Sequence, residues 1–223
     1  MPLVTKSRII VLHLTKYSDS SSIIHTIDSE SGRKSYLVRG LKSRRNTSAQ
    51  LHILALLEAV GGSSPKSSLS YLKEWTPLCQ LDSIRCDMAK SAIAMFISEI
   101  LYRSLTNELA DEALFDWLCD SIVRLDAQEG NVANFHLWWL VSYCVKMGFR
   151  PSETIEPAGM FTPEEESLLR AVLTSSMEDT LALPLSSNRR RNFCRKMLQY
   201  LSYHLGCDIN ARSLDVLHDI FTA

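Results

Sequence analysis

The sequence predicts an α+β protein: a five-stranded β-barrel at the N-terminus followed by an all-α helical bundle. Three observations carry this. Within the first 80 residues, short runs rich in Ile, Val and Leu are separated by Ser, Gly and Asp clusters, the pattern of strands and turns. From Asp82 on, apolar residues recur at helical spacing instead. Charge divides the same way: residues 1–50 hold nine Lys/Arg against three acids, a net of +6, while residues 81–223 hold 13 against 20, a net of −7. The reading is a barrel over 1–80 and a helical domain over 81–223, with 150–161 as a connector. A basic head on an acidic body points to a polyanion-binding surface.

The strands follow in order. Arg8 to Leu14 is rich in β-branched residues and predicts the first, and Tyr17-Ser18-Asp19-Ser20 predicts a turn. Ser22 to Asp28 is the second, with Ser29-Glu30-Ser31-Gly32 as a hairpin connection. Arg33 to Arg39 is the third, with Tyr36 and Val38 on one face, and Gly40 ends it. The segment Leu51 to Val60 ends as a fourth strand, and Gly61 to Ser67 reads as a turn. Leu69 to Leu78 is the fifth. Five short antiparallel strands with long loops fit a Greek-key barrel of the OB type; an SH3-like barrel fits the count as well.

Six helices are predicted beyond it. Asp87 caps one running to Leu105; a second spans Asp111 to Leu125; Asn131 opens a third that ends near Met147, with Gly148 as its stop. The stretch FHLWWLVSYCV in the third is apolar all round and belongs at the centre of a bundle. Thr162-Pro163-Glu164-Glu165-Glu166 combines an N-cap, Pro at N1 and acids at the positive end of the helix dipole. Leu181 to Leu185 reads as a turn around Pro184. Ser187 or Asn188 caps a helix to Leu205, and Ser213 caps a last one ending at Phe221.

Composition excludes several classes. At 223 residues and 46% hydrophobic the chain buries a substantial core. No run approaches the ~18 apolar residues of a membrane span, and the N-terminal apolar run is too short for a signal peptide, so the expected location is the cytoplasm. Six cysteines, scattered singly without C-x-x-C, read as reduced and mostly buried thiols. No nucleophile elbow, H-E-x-x-H, Walker loop or G-x-G-x-x-G is present. His204-x-x-Cys207 is one ligand pair where zinc needs three or four, and reads as a surface histidine beside a buried thiol. No enzyme, cofactor or metal is expected.

The basic loop is more informative. Arg39, Lys42, Arg44 and Arg45 leave the third strand among serines, with Arg33 and Lys34 at its start. Guanidinium groups match phosphate oxygens bidentately; the alternative is a solvated turn protecting an edge strand. The charge of the whole head favours nucleic acid. Tyr17, Tyr36 and Tyr71 are stacking candidates for unpaired bases, with core packing as the plainer alternative. A second cluster, Arg189, Arg190, Arg191, Arg195 and Lys196, opposes the dipole at a helix start. It reads as a solvated helix start or, second, as a contact for an anion or acidic partner.

Ile10 to Ser21 (read with Val11, Leu12 and Y-S-D-S-S), Ser31-Gly32-Arg33 and L-V-R-G-L-K-S-R-R from Leu37 to Arg45 together resemble the bacterial DNA repair RecO family. Ala89 to Leu105, Glu112 to Leu118, Asn134 to Leu137 and Gly148 to Pro151 continue the likeness in order, in the form found in Bacteroides-type bacteria. The resemblance implies an N-terminal OB-fold, a helical domain, and a recombination mediator that binds single- and double-stranded DNA and anneals complementary strands. It implies RecR as a partner, a contact between the helical domain and the C-terminal tail of single-stranded DNA-binding protein (SSB), and loading of RecA onto SSB-coated DNA in the bacterial cytoplasm at the nucleoid. Arg39, Lys42, Arg44 and Arg45 match the family's basic positions after the third strand. One departure stands out. Many relatives carry a four-cysteine zinc module after Gly-Phe-x-Pro, whereas Arg150 to Leu185 contains no cysteine, so the connector is expected to be metal-free. An RNA-binding OB module and a protein adaptor that does not touch DNA are the competing readings.

Overall fold

A computed structural model describes residues 4–40, 49–64, 67–106, 109–151 and 157–222. By its internal contacts the chain divides into two units, one of Met1–Asp82 with Leu101–Ile122, the other of Ser83–Ile100 with Val123–Ala223.

The first unit holds a closed barrel in the order β1-β2-β3-β5-β4, from β1 (Val4–Lys16), β2 (Ser21–Asp28), β3 (Gly32–Arg39), β4 (Leu56–Ser64) and β5 (Ser67–Pro77). All neighbours are antiparallel except β3 and β5, which run parallel where Tyr36 meets Ser70 and Leu37 meets Tyr71. The first strand is longer than its β-branched stretch because it serves two partners. Its first half pairs with β4 and its second with β2, and Ile9 and Ile10 pair with both. Ile9, Val11, Ile24, Tyr36, Val38 and Leu57 fill the interior.

The expected turn over Gly61 to Ser67 is corrected: β4 continues through Gly61 to Ser64, and β5 begins at Ser67. A Cβ on Gly61 would lie 2.8 Å from Cε1 of Tyr36 and 2.8 Å from the Tyr71 carbonyl. The glycine therefore marks a close approach inside the barrel rather than a reversal. The register also shifts between Val60 and Gly61.

Asp28 organises the barrel where β2 turns into β3. Its carboxylate is buried and accepts from the Ser7 hydroxyl (2.7 Å), the Tyr36 phenol (2.5 Å) and the backbone N–H groups of Glu30 and Ser31. A buried carboxylate is tolerated because donors surround it. In the same unit, Arg8 pairs with Asp116 at 2.9 Å and lies 5.1 Å over the Phe115 ring.

Eight helices are described: α1 (Asp82–Cys86), α2 (Met88–Ser104), α3 (Glu112–Ala127), α4 (Phe135–Lys146), α5 (Pro163–Thr174), α6 (Met177–Leu181), α7 (Ser187–Leu205) and α8 (Ser213–Ile220). Six match the expected segments, and α1 and α6 are additional five-residue turns. Asp87 and Asp111 cap α2 and α3 by accepting from the N–H groups of Lys90 and Leu114. In the second unit α4 packs against α5, α6 and α7, with Phe135, Leu137, Trp139, Tyr143 and Cys144 buried, as its all-round apolar sequence requires. Thr162 and Glu165 form a reciprocal capping box on α5.

Several helix starts differ from expectation. Asn131 accepts from Ala133 N–H in a preceding turn, and α4 begins only at Phe135. Asn134 is buried, and its amide donates to the carbonyls of Thr180, Leu181 and Leu183. Ser186, not Ser187 or Asn188, caps α7. Ser213 is the first residue of α8 rather than its cap; its N–H and hydroxyl both donate to Glu99. The thiols also differ. Cys144 and Cys194 are buried, Cys79 and Cys119 half-buried, and Cys86 and Cys207 exposed.

Candidate nucleic-acid interface

Strand alternation sorts the basic residues of β3. Tyr36 and Val38 point into the barrel, while Arg33, Ser35, Leu37 and Arg39 occupy the alternate positions and are half-buried or exposed. Lys34 belongs with Tyr36: its ammonium lies 5.1 Å from the Tyr36 ring, 3.4 Å from the Ser31 hydroxyl and 3.9 Å from Asp28. It serves the Asp28 cluster and lies on the opposite face of β3 from Arg39. Arg33 has its guanidinium carbon 4.1 Å over the ring of Tyr102, near the end of α2. Lys42, Arg44 and Arg45 lie outside the described residues.

The exposed end of β3 meets the β1–β2 turn. Arg39 is opposite Ser21, whose carbonyl accepts from Tyr17 N–H at 3.0 Å, and Gly40 N–H donates to Ser20 O at 2.8 Å. Tyr17 is 62% exposed and Arg39 is exposed, so these two residues and Gly40 share one rim of the barrel. Ile23, Leu37 and Tyr71 continue from that rim as a half-buried cross-strand row on β2, β3 and β5. Cations beside an apolar and aromatic row can hold a phosphate backbone and its bases together. Tyr36 does not join this surface. It is buried, and burial together with the Asp28 carboxylate pushes its phenol pKa up.

The sequence profile described as "Recombination protein O N terminal" matches residues 1–80, and "Recombination protein O C terminal" matches 85–158. The DNA repair protein RecO of Porphyromonas gingivalis is 30% identical over 98% of this chain and all of its own length. That of Bacteroides fragilis is 32% identical over 95% of this chain and 97% of its own. The chain belongs to the RecO family. With it comes the coarse assignment: a DNA repair protein with an OB-type barrel followed by a helical region.

In this RecO-family chain the second basic cluster lies on α7, and its five cations have different surroundings. Arg190 is buried and donates to Leu185 O at 2.6 Å and Phe221 O at 3.5 Å. Arg191 and Arg195 share Asp215, at 2.5 and 3.4 Å. The hydrogen bond from Arg191 leads in holding the Asp215 carboxyl below its usual range. Arg189 is exposed and Lys196 half-buried. Beside them a groove of about 270 Å³ is lined by Arg195, Leu198, Asp208, Ile209, Leu214 and Asp215.

Among the described residues no group of three or more His, Cys, Asp or Glu stands close enough to hold a metal. At the His204–Cys207 pair the expectation is reversed. His204 packs between Phe149 (5.0 Å) and Tyr200 (4.4 Å), and Cys207 is the exposed member. Among the described residues no helix is long and apolar enough to cross a membrane. The residues that sequence reasoning passed over are His13, His25 and Tyr102, gathered beside Arg33. The histidines carried a signal, sitting at matching positions on either side of a turn. Tyr102 carried none, since α2 brings it from a distant part of the chain.

Proposed function

We propose that this RecO-family protein is a non-enzymatic mediator of DNA repair and recombination in the bacterial cytoplasm, at the nucleoid. Its barrel (1–80) binds single- and double-stranded DNA and anneals complementary strands. Its helical domain (81–223) docks partners: RecR, and the C-terminal tail of SSB. With RecR it helps load RecA onto SSB-coated DNA. The observation that carries the reading is the rim where Arg39, the exposed Tyr17 and Gly40 come together, with Lys42, Arg44 and Arg45 next in the sequence. Arg39, Lys42, Arg44 and Arg45 bind the phosphate backbone, with Arg33 further along the same strand and Lys34 adding its charge at the barrel end. Such binding is electrostatic and sequence-tolerant. The cations of α7 suit the acidic tail of SSB in charge, Asp208 and Asp215 in the adjoining groove oppose it, and the groove's Leu198, Ile209 and Leu214 suit an apolar end group.

The test is annealing of two complementary fluorescent strands, naked and coated with SSB, with and without RecR. Acceleration on naked DNA that is lost on replacing Arg39, Lys42, Arg44 and Arg45 by Ala supports the reading. Acceleration by the variant equal to that of wild type removes the rim from the mechanism, and no acceleration by wild type removes annealing.

A further inference from the structure

Along β3 from Arg39, the barrel wall carries a second constellation. A bulge between Val11 and His13 sets His13 directly opposite His25, which in turn pairs with Ser35. The two imidazoles stack with centroids 6.0 Å apart, and Tyr102 meets both edge-on at 5.7 and 5.3 Å. Arg33 lies over the Tyr102 ring, and its Nη1 is enclosed without a hydrogen-bond partner among the described residues. Ser35 Oγ is 2.8 Å from Nδ1 of His25, and Thr15 Oγ1 is 3.4 Å from its Nε2. The groups meeting here are thus His13 and Thr15 from β1, His25 from β2, Arg33 and Ser35 from β3 and Tyr102 from α2. None of them is a carboxylate. His13 is exposed and Tyr102 is 38% exposed, so the cluster opens to solvent.

We propose that His13, His25, Arg33 and Tyr102 form a phosphate subsite for the nucleic-acid backbone, on the same face of β3 as Arg39. The proposal rests on the DNA-binding reading above and extends it along the strand. Arg33 and Arg39 are six residues apart on β3, about 20 Å at strand rise, within one OB-fold footprint of about 4–16 nucleotides. Among the described residues the cluster gathers one fixed cation and two imidazoles with no carboxylate in contact with them. Burial, then Arg33, then His13 hold the pKa of His25 below its ordinary value, so its imidazole is neutral at physiological pH. An arriving phosphate supplies the missing negative charge and favours the protonated imidazole. Binding therefore takes up protons, and by linkage DNA affinity rises as pH falls.

The experiment is fluorescence anisotropy of the full chain with a labelled oligothymidine of about 16 nucleotides, at constant ionic strength, from about pH 8.5 to about pH 5.5. Wild type is expected to tighten several-fold toward acid. His13→Ala/His25→Ala is expected to lose most of that gain. His13→Gln/His25→Gln keeps polar side chains of similar reach but cannot take the proton; it is expected to behave the same, which separates proton uptake from a folding defect. If either folded variant tightens with acid as much as wild type, the subsite is wrong. If wild type binds DNA with a steep salt dependence but without pH dependence, the subsite fails while the rim stands. If wild type binds no DNA at any pH, the DNA-binding reading fails and the subsite with it.

Discussion

The phenol of Tyr36 donates to Oδ2 of Asp28 at 2.5 Å inside the barrel, joining a buried aromatic ring to a carboxylate at the end of β2. The same oxygen takes the Ser7 hydroxyl from β1, so three strands are tied at one acceptor. Hydrogen bonds to a buried charge are worth more than neutral ones, about 1.5–3 kcal/mol each. Tyr36→Phe is expected to lower unfolding free energy by about that amount in urea titrations, with Asp28→Ala costing more because three further donors are left without their acceptor. A Tyr36→Phe protein as stable as wild type would show that Asp28 does not depend on the phenol.

Gly61 is held by close packing rather than by dihedral angle. An added methyl meets Tyr36 and the Tyr71 carbonyl, neither free to swing away. Gly61→Ala is expected to destabilise by about 1–3 kcal/mol through overpacking. Gly130→Ala is its control: open space surrounds that site, but φ is +76°, and a cost of about 1–2 kcal/mol comes from backbone strain alone. A second substitution to Asn, which tolerates the left-handed region, should recover part of the loss at 130 and none at 61.

His136 on α4 gives the helical unit an acid sensitivity. It is buried between Phe96 (5.8 Å) and Phe221 (6.2 Å), and its Nδ1 has no hydrogen-bond partner among the described residues. Burial first, and Arg190 second, bring its pKa from 6.5 down to about 3. The unfolded chain then binds the proton more readily than the folded one. Stability from this group is complete above pH 6.5 and is lost as pH falls toward 3. The slope is at most about 1.4 kcal/mol per pH unit. Melting temperatures of wild type and His136→Phe are expected to diverge in favour of the variant on acidification. Curves that stay parallel would mean that His136 finds a partner for its proton.

Much of the fold was legible because local and tertiary signals agree. The alternation of β3, the capping box at Thr162 and the apolar circumference of α4 each dictate one answer. The misreadings fall where a distant neighbour overrides a local signal. Gly61 and Gly62 look like a turn until Tyr36 and Tyr71 are in place beside them. β1 outruns its β-branched core because β4 pairs with its first residues. The start of α6 was present as Ser176 three residues before Asp179, but a five-residue helix offers too little periodicity to be noticed. At the site, the sequence put Tyr36 and Val38 on one face of β3; that Arg33 shares the opposite face with Arg39, while Lys34 sits with Tyr36, follows from the observed alternation. The bulge that aligns His13 with His25, and the helix end that delivers Tyr102, are products of assembly.

If the barrel rim at Arg39 holds the phosphate backbone, salt must compete with it for the DNA. Binding of a labelled single-stranded oligonucleotide is followed by anisotropy at increasing salt, for wild type and for Arg39→Ala/Lys42→Ala/Arg44→Ala/Arg45→Ala. In the wild type log K is expected to fall steeply with log salt. The variant should bind weakly, with a slope shallower by about 0.7 for each phosphate of the single strand that it no longer neutralises. Equal affinity and equal slope in the two proteins would contradict a phosphate-binding rim.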